Sequence, residues 1–209
     1  MSFCLIILAG GNSHRFKSNI GKPYQKIAGK SLIEINIIKA LKFKQIKKII
    51  VVYNKKDSKQ IKSLKLKNII MVVGGNSRQQ SAYKALKYLK KQKSISKVLI
   101  HDAARPNFSS KLLGSIIKNM KNARAVVPKI KIHDAIKQVI DSSKDEYILG
   151  KKRDNLFLTQ TPQAFKYKDI YELSIKQNKK IQDEATLFIE NNLNIKFIKG
   201  EITNDKITF

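Results

Sequence analysis

Short apolar runs rich in isoleucine and valine recur at 3–9, 47–53, 68–73, 96–101 and 123–130, each bounded by turn or polar residues. Runs of this length and composition predict strands buried on both faces of a parallel sheet. Between them the apolar positions change to helical spacing. SLIE at 31–34 reads as a capping box opening a helix to about residue 42, and SRQQ at 77–80 opens another to about residue 92. Ser109 or Ser110 caps a third helix through Met120. Such alternation predicts an α/β fold with a doubly wound, mostly parallel Rossmann-like sheet. Ligands gather at the carboxyl ends of the strands in this architecture.

The pattern breaks after residue 130. Residues 131–153 are polar, charged and weakly periodic, with Gly150 near their end. They are expected to form an arm inserted within a single domain spanning 1–209. Helical spacing returns at 167–179 and 182–192, followed by a strand at 194–199. There is no internal repeat and no low-complexity linker.

Composition narrows the function classes. Cys4 is the only cysteine, so no intrachain disulfide forms, which fits a reducing compartment. The opening MSFCLIILAG lacks a basic flank and runs into glycines where a signal peptide needs a cleavage site. No run reaches transmembrane length. A soluble, cytoplasmic chain with no membrane partner is expected. The net charge of +28 raises the question of a polynucleotide partner. However, 38 of the 43 basic residues are lysines scattered along the chain beside 31 isoleucines, a pattern that an A/T-rich genome leaves on neutral surfaces. A basic, non-enzymatic RNA-binding protein would instead concentrate its cations or interleave them with aromatics. No nucleic-acid partner is expected.

The five arginines are more informative, because guanidinium offers a planar fork that lysine lacks. Arg15, Arg78, Arg105 and Arg153 each sit in a stretch unlike the Lys/Ile background. Three of these stretches follow expected strands: AGGNSHR at 9–15, GGNSRQQS at 74–81 and HDAARP at 101–106. Glycines let backbone approach a phosphate or base, arginines bind phosphate oxygens, and an aspartate at a strand end can hold Mg²⁺. Neither a dinucleotide fingerprint nor a Walker P-loop is present. Three such loops at successive strand ends point to a nucleoside triphosphate site. Arg78 opens a helix, where a cation is unfavourable, so a nearby anion or carboxylate is expected beside it. His101 reads as a packing or hydrogen-bonding residue, since no second ligand stands at metal-binding spacing.

These loops, with GKPYQ at 21–25, RDNLFLTQTPQAF at 153–165, QDEAT at 182–186 and NDKIT at 204–208, resemble the 2-C-methyl-D-erythritol 4-phosphate cytidylyltransferases of the non-mevalonate isoprenoid pathway. The resemblance covers the chain from the first strand to the last residue. HDAARP, TPQ and the final KIT are its most specific parts. It implies a nucleotide-diphospho-sugar transferase type of fold and transfer of CMP from CTP to a polyol phosphate. It further implies that Arg15 and Lys22 flank the α-phosphate and that Asp102 ligates Mg²⁺ or another divalent metal. Ala9, Gly10, Gly11, Gly75, Asn76, Ser81, Asp102 and Ala103 would line the nucleotide. Arg105, Arg153 and Lys206 would gather around the acceptor phosphate, with positions 135 and 182 beside its hydroxyls. A homodimer that exchanges the 131–153 arm also follows.

Departures from the family pattern matter most at Ala135 and Gln182, where members typically carry threonines. An acceptor other than methylerythritol phosphate, such as ribitol 5-phosphate, is therefore the alternative within the same chemistry. The chain ends at Phe209, directly after KIT, where family members continue into a further helix. A longer natural chain, fused to a downstream pathway enzyme, remains open.

Overall fold

The computed structural model describes residues 1–11, 21–66, 68–92, 94–141, 146–149, 153–177 and 180–207, with backbone alone for 140–141 and 146–149. Five elements follow the apolar runs: β1 (Phe3–Ala9), β4 (Ile46–Tyr53), β5 (Ile70–Val73), β6 (Lys97–Asp102) and β7 (Ala125–Lys131). A minor pair, β2 (Lys26–Ile27) and β3 (Lys30–Ser31), precedes helix α1 (Leu32–Leu41). Three further helices complete the first part: α2 (Ser58–Ser63), α3 (Arg78–Leu89) and α4 (Ser110–Asn119). The second part holds β8 (Lys137–Asp141), β9 (Glu146–Leu149), β10 (Phe157–Thr159), β11 (Gln163–Lys166), α5 (Tyr167–Lys176), α6 (Ala185–Glu190) and β12 (Ile195–Lys199).

The main sheet runs β10-β7-β11-β6-β1-β4-β5, with β12 also pairing to β7. Pairings of β1 with β4 and β6, of β4 with β5, and of β12 with β7 are parallel. Those made by β10 and β11 are antiparallel. Period-2 alternation explains the layers. Phe3, Leu5, Ile7 and Ala9 pack on one face with Ile33 and Ile37 of α1 and Leu113 and Ile116 of α4. Cys4 and Ile6 pack on the other with Ala85, Leu86 and Leu89 of α3, Ile170 of α5 and Phe188 of α6. Burial of Cys4 pushes its thiol up to about 12, so it stays a protonated apolar side chain.

Helix starts follow the expected chemistry, with one difference. Ser31 and Glu34 form the reciprocal box: Glu34 N–H donates to Ser31 Oγ at 3.2 Å and Ser31 N–H to Glu34 Oε2 at 2.7 Å. Ser109 caps α4 through the Leu112 N–H at 3.0 Å. Ser77 caps α3 through the Gln80 N–H at 3.1 Å, but Gln80 Oε1 accepts instead from the Asn76 N–H at 2.9 Å. The Gln80 side chain thus orders the glycine loop before the helix.

The second half corrects the element reading. Residues 131–153, expected as an inserted arm with no strands assigned, contain β8 and β9, which pair antiparallel as a separate two-stranded sheet. RDNLFLTQTPQAF, read only as a motif, supplies β10 and β11. β11 inserts between β6 and β7, so the sheet is mixed at that side. The expected helix 182–192 shortens to α6, because 182–184 form its entry turn.

Candidate functional site

Parallel register aligns the strand ends. Ala9 stands opposite Tyr53, Tyr53 opposite Val73, and Leu8 opposite Asp102. The glycines after β1 and β5 and the carboxylate ending β6 therefore open on one edge.

The glycine loop after β5 is packed against α3 and the end of β4. Buried Ser81 reaches back from α3 and its Oγ accepts the Gly75 N–H at 3.0 Å. Gly74 N–H donates to the Tyr53 carbonyl oxygen at 2.8 Å. A Cβ on Gly75 would meet Gln80 Cβ at 2.5 Å, so only glycine lets this loop close on α3. A Cβ on Gly11 would meet nothing within 4 Å among the described residues. Ala9 is buried, whereas Gly11 and Asn76 are exposed at the sheet edge. Arg15 lies outside the described residues. Lys22 follows Gly21 in a short 3₁₀ turn held by buried Pro23 and Tyr24, and its Nζ donates to the Ile207 carbonyl oxygen at 3.0 Å.

Asp102 is the hub of the β6 end. Its Oδ1 accepts from Arg78 Nε at 3.0 Å and its Oδ2 from Lys206 Nζ at 2.7 Å. Burial alone would raise its pKa, but Arg78 and Lys206 outweigh burial and hold the carboxyl well below the usual carboxylate range. Arg78 Nη1 also donates to both oxygens of buried Glu184, at 2.9 and 2.8 Å. Burial opposes the Arg78 charge, yet Glu184 and Asp102 raise its pKa on balance. The carboxylate expected beside Arg78 is thus a pair of carboxylates.

The loop after Asp102 is fixed from below. His101 Nε2 faces two acceptors, Asn36 Oδ1 and the Arg105 carbonyl oxygen, both at 3.0 Å, so it carries the proton. Nδ1 then accepts from Thr161 Oγ1 at 3.0 Å, and that oxygen accepts the Asp102 N–H at 3.1 Å. Burial pulls the His101 pKa down to about 4. The ring is a neutral brace, as its sequence context implies. Ala103 is buried, and its carbonyl oxygen accepts from Asn36 Nδ2 at 3.0 Å.

The C-terminal segment closes over this loop. Arg105 Nη1 donates to the Asn204 carbonyl oxygen at 2.7 Å, and buried Asn204 donates through Nδ2 to the Thr161 carbonyl oxygen at 2.9 Å. Ile207 N–H donates to the Ala104 carbonyl oxygen at 2.9 Å. Lys206 is thereby delivered to Asp102.

A cavity of about 370 Å³ opens here, with Arg78, Asp102, Arg105, Gln182 and Lys206 on its polar side and Phe157 and Phe197 on its apolar side. Asp183 shapes its floor, accepting from Thr159 Oγ1 and Gln163 Nε2, both at 2.7 Å. Arg105, Lys206 and Gln182 therefore line one cavity. Arg153 and Ala135 are not on its lining. They stand exposed at the base of the β8–β9 pair, where Arg153 Nη1 donates to the His133 carbonyl oxygen at 2.5 Å.

Sequence reasoning assigned no role to Glu184, Thr161 or Asn204. Each lies inside a quoted motif, but its signal is burial with a distant partner, which local pattern does not carry. Among the described residues, no group of three or more His, Cys, Asp or Glu side chains is placed to hold a metal ion. Nor is any helix among them long and apolar enough to cross a membrane.

Glycines at two strand ends, with paired cations around a carboxylate at a third, stand on one edge of a helix-covered mixed α/β sheet, the edge at which ligands gather in such folds. The family model for IspD, 2-C-methyl-D-erythritol 4-phosphate cytidylyltransferase, matches residues 3–209, and the chain belongs to that family. It is 46% identical over 208 residues to a bifunctional enzyme IspD/IspF of Pelagibacter ubique, spanning all of this chain but only 55% of that relative. It is 35% identical to the 2-C-methyl-D-erythritol 4-phosphate cytidylyltransferase of Thermosipho melanesiensis, with 97% of this chain and 91% of the relative covered. Among solved structures, the 4-diphosphocytidyl-2C-methyl-D-erythritol synthase of Anaerococcus prevotii superposes with a TM-score of 0.83 at 30% identity, covering 100% of this chain and 93% of that one.

Proposed function

We propose that the chain transfers CMP from CTP to 2-C-methyl-D-erythritol 4-phosphate, giving 4-diphosphocytidyl-2-C-methyl-D-erythritol and pyrophosphate. The observation that carries this reading is the convergence of Lys206, Arg105 and the ionised Asp102 on one cavity beside the glycine loops. Family membership supplies the reaction class.

The chemistry suits these side chains. An oxygen of the acceptor's phosphate monoester attacks the α-phosphorus of CTP, and the bond to the bridging oxygen breaks, leaving its electrons on pyrophosphate. That nucleophile is already anionic at neutral pH, so no general base is required. Neutral, buried His101 is accordingly a brace. The demand falls on cations that hold two anions together and stabilise the added charge in the transition state. Lys22, with Arg15 by family analogy, would serve the α-phosphate. Arg105 and Lys206 would serve the acceptor phosphate. Ala9, Gly10, Gly11, Gly75, Asn76 and Ala103 would present backbone to the nucleotide, and Ser81 would hold the Gly75 turn in place.

A divalent metal, Mg²⁺ or a substitute, fits the donor set. Mg²⁺ is commonly held by one or two carboxylates plus substrate phosphates, and the β6 end offers one fully ionised carboxylate, Asp102. When bound, the metal would neutralise triphosphate charge. Asp102 would hold it.

We also infer a homodimer. Arg153 and Ala135 lie away from the cavity that holds Arg105, Gln182 and Lys206. An arm exchanged between subunits would bring the first pair to the second chain's cavity. Steady-state assays with CTP and a panel of polyol phosphates test the acceptor. Methylerythritol phosphate is expected to give the highest kcat/KM. Ala135 and Gln182 favour a second reading, with ribitol 5-phosphate as acceptor, which a preference for that substrate would establish.

A further inference from the structure

Two cations share the Asp102 carboxylate, but they are held very differently. Lys206 Nζ reaches Oδ2 from a side chain that is 43% exposed, on the closing C-terminal segment. Arg78 Nε reaches Oδ1 from the start of α3, and its Nη1 donates to both oxygens of Glu184, whose side chain is 2% exposed. Glu184 in turn sits at the entry to α6, beside Asp183, which caps that turn by accepting the Thr186 N–H at 3.2 Å. One partner of Asp102 is thus a part-exposed lysine, and the other is fixed by a buried carboxylate from a distant loop.

We propose that Arg78 and Glu184 are positioning residues that hold Asp102 in one orientation, with Oδ2 kept for an exchangeable cation. This rests on the reading of Asp102 as the residue that meets the metal of a CTP complex. Lys206 contacts Oδ2 here; a divalent metal held by Asp102 would take the place of that contact and leave the lysine for the acceptor phosphate. Arg78 does not follow, because its fork on Glu184 occupies the Nη1 edge while Nε remains on Oδ1. A guanidinium left without Glu184 would turn wholly onto Asp102 and compete for both oxygens. The same fork joins the helix that follows the nucleotide loop to the loop carrying Gln182, one lining residue of the acceptor cavity.

The test uses the full chain with Glu184→Gln, which keeps the shape and removes the charge, and Arg78→Lys, which keeps a charge but not the fork. Binding of Mn²⁺ to the complex with a non-transferable CTP analogue is read by electron paramagnetic resonance, alongside melting temperature and kcat. Both variants are expected to bind Mn²⁺ about tenfold more weakly, with a matching rise in the metal concentration for half-maximal turnover. Their affinity for the analogue without metal should stay within about threefold of the parent. If Glu184→Gln does not fold, Arg78→Lys decides by the same readings. A lowered melting temperature or lowered kcat with unchanged Mn²⁺ affinity makes the fork purely structural and overturns the proposal. Failure of the parent chain to bind the CTP analogue at all overturns the nucleotide reading instead.

Discussion

Lys22 Nζ and the Ile207 carbonyl oxygen lie 3.0 Å apart, 185 residues distant in sequence, so the turn after the first strand and the closing segment meet at one point. That contact places a flexible cation between the glycine edge and the segment bearing Lys206. Lys22→Ala should remove transition-state stabilisation on the order of 3 kcal/mol, about a hundredfold in kcat. CTP affinity should suffer less. Turnover within a factor of two of the parent would remove Lys22 from the catalytic group.

The two glycine loops separate packing from recognition. Gly75→Ala forces a Cβ against Gln80 and should lower both stability and CTP affinity. Gly11→Ala meets no atom of the described residues within 4 Å, so its melting temperature should match the parent. If the nucleotide rests on that backbone, its CTP KM should still rise about tenfold. A Gly11→Ala enzyme with parental KM would place the nucleotide elsewhere.

Acid should loosen the site through His101. Its folded-state pKa of about 4 lies below the ordinary 6.5, so between these values the unfolded chain binds a proton that the folded chain refuses. Stability therefore rises with pH across that window and is lost as pH falls through it, on the order of 3 kcal/mol in all. Asp102, with its pKa depressed, loses its contribution only in stronger acid. Thermal melts from pH 7.5 to 4.5 should show the steepest decline below about 6, and His101→Gln should flatten it. An equally steep decline in the variant would assign the acid response to other groups.

How far this was legible from sequence differs along the chain. β1, β4 and β6 announce themselves because strands buried on both faces must be continuously apolar, and the Ser31 box is a local pattern with a local partner. β8 and β9 were not legible, since a two-stranded pair standing apart from the main sheet needs no apolar alternation. The site divides the same way. Gly75 and Asp102 stand out at strand ends, and scarce arginine marks Arg78. Glu184 resembles any other acidic residue until the fold buries it against Arg78 from 106 positions away.

Arg153 and Ala135 test the arm. If they act on a neighbouring chain's cavity, Arg153→Ala should lower kcat/KM for the acceptor by well over tenfold while leaving CTP binding intact, since it removes a cation from the phosphate. Ala135→Thr should improve acceptor KM modestly, by one neutral hydrogen bond at about 0.5–1.5 kcal/mol. Sedimentation should give a dimer. A fully active monomer at high concentration would refute the exchange.

Cytidylyl transfer itself is tested most directly by phosphorus NMR of the chain incubated with CTP, Mg²⁺ and 2-C-methyl-D-erythritol 4-phosphate. The expected spectrum loses the triphosphate and acceptor monoester signals together and gains a diphosphate diester and pyrophosphate in equal amounts, with nothing consumed when the acceptor is left out. CTP that stays intact, or that releases phosphate without forming the diester, would contradict the assignment.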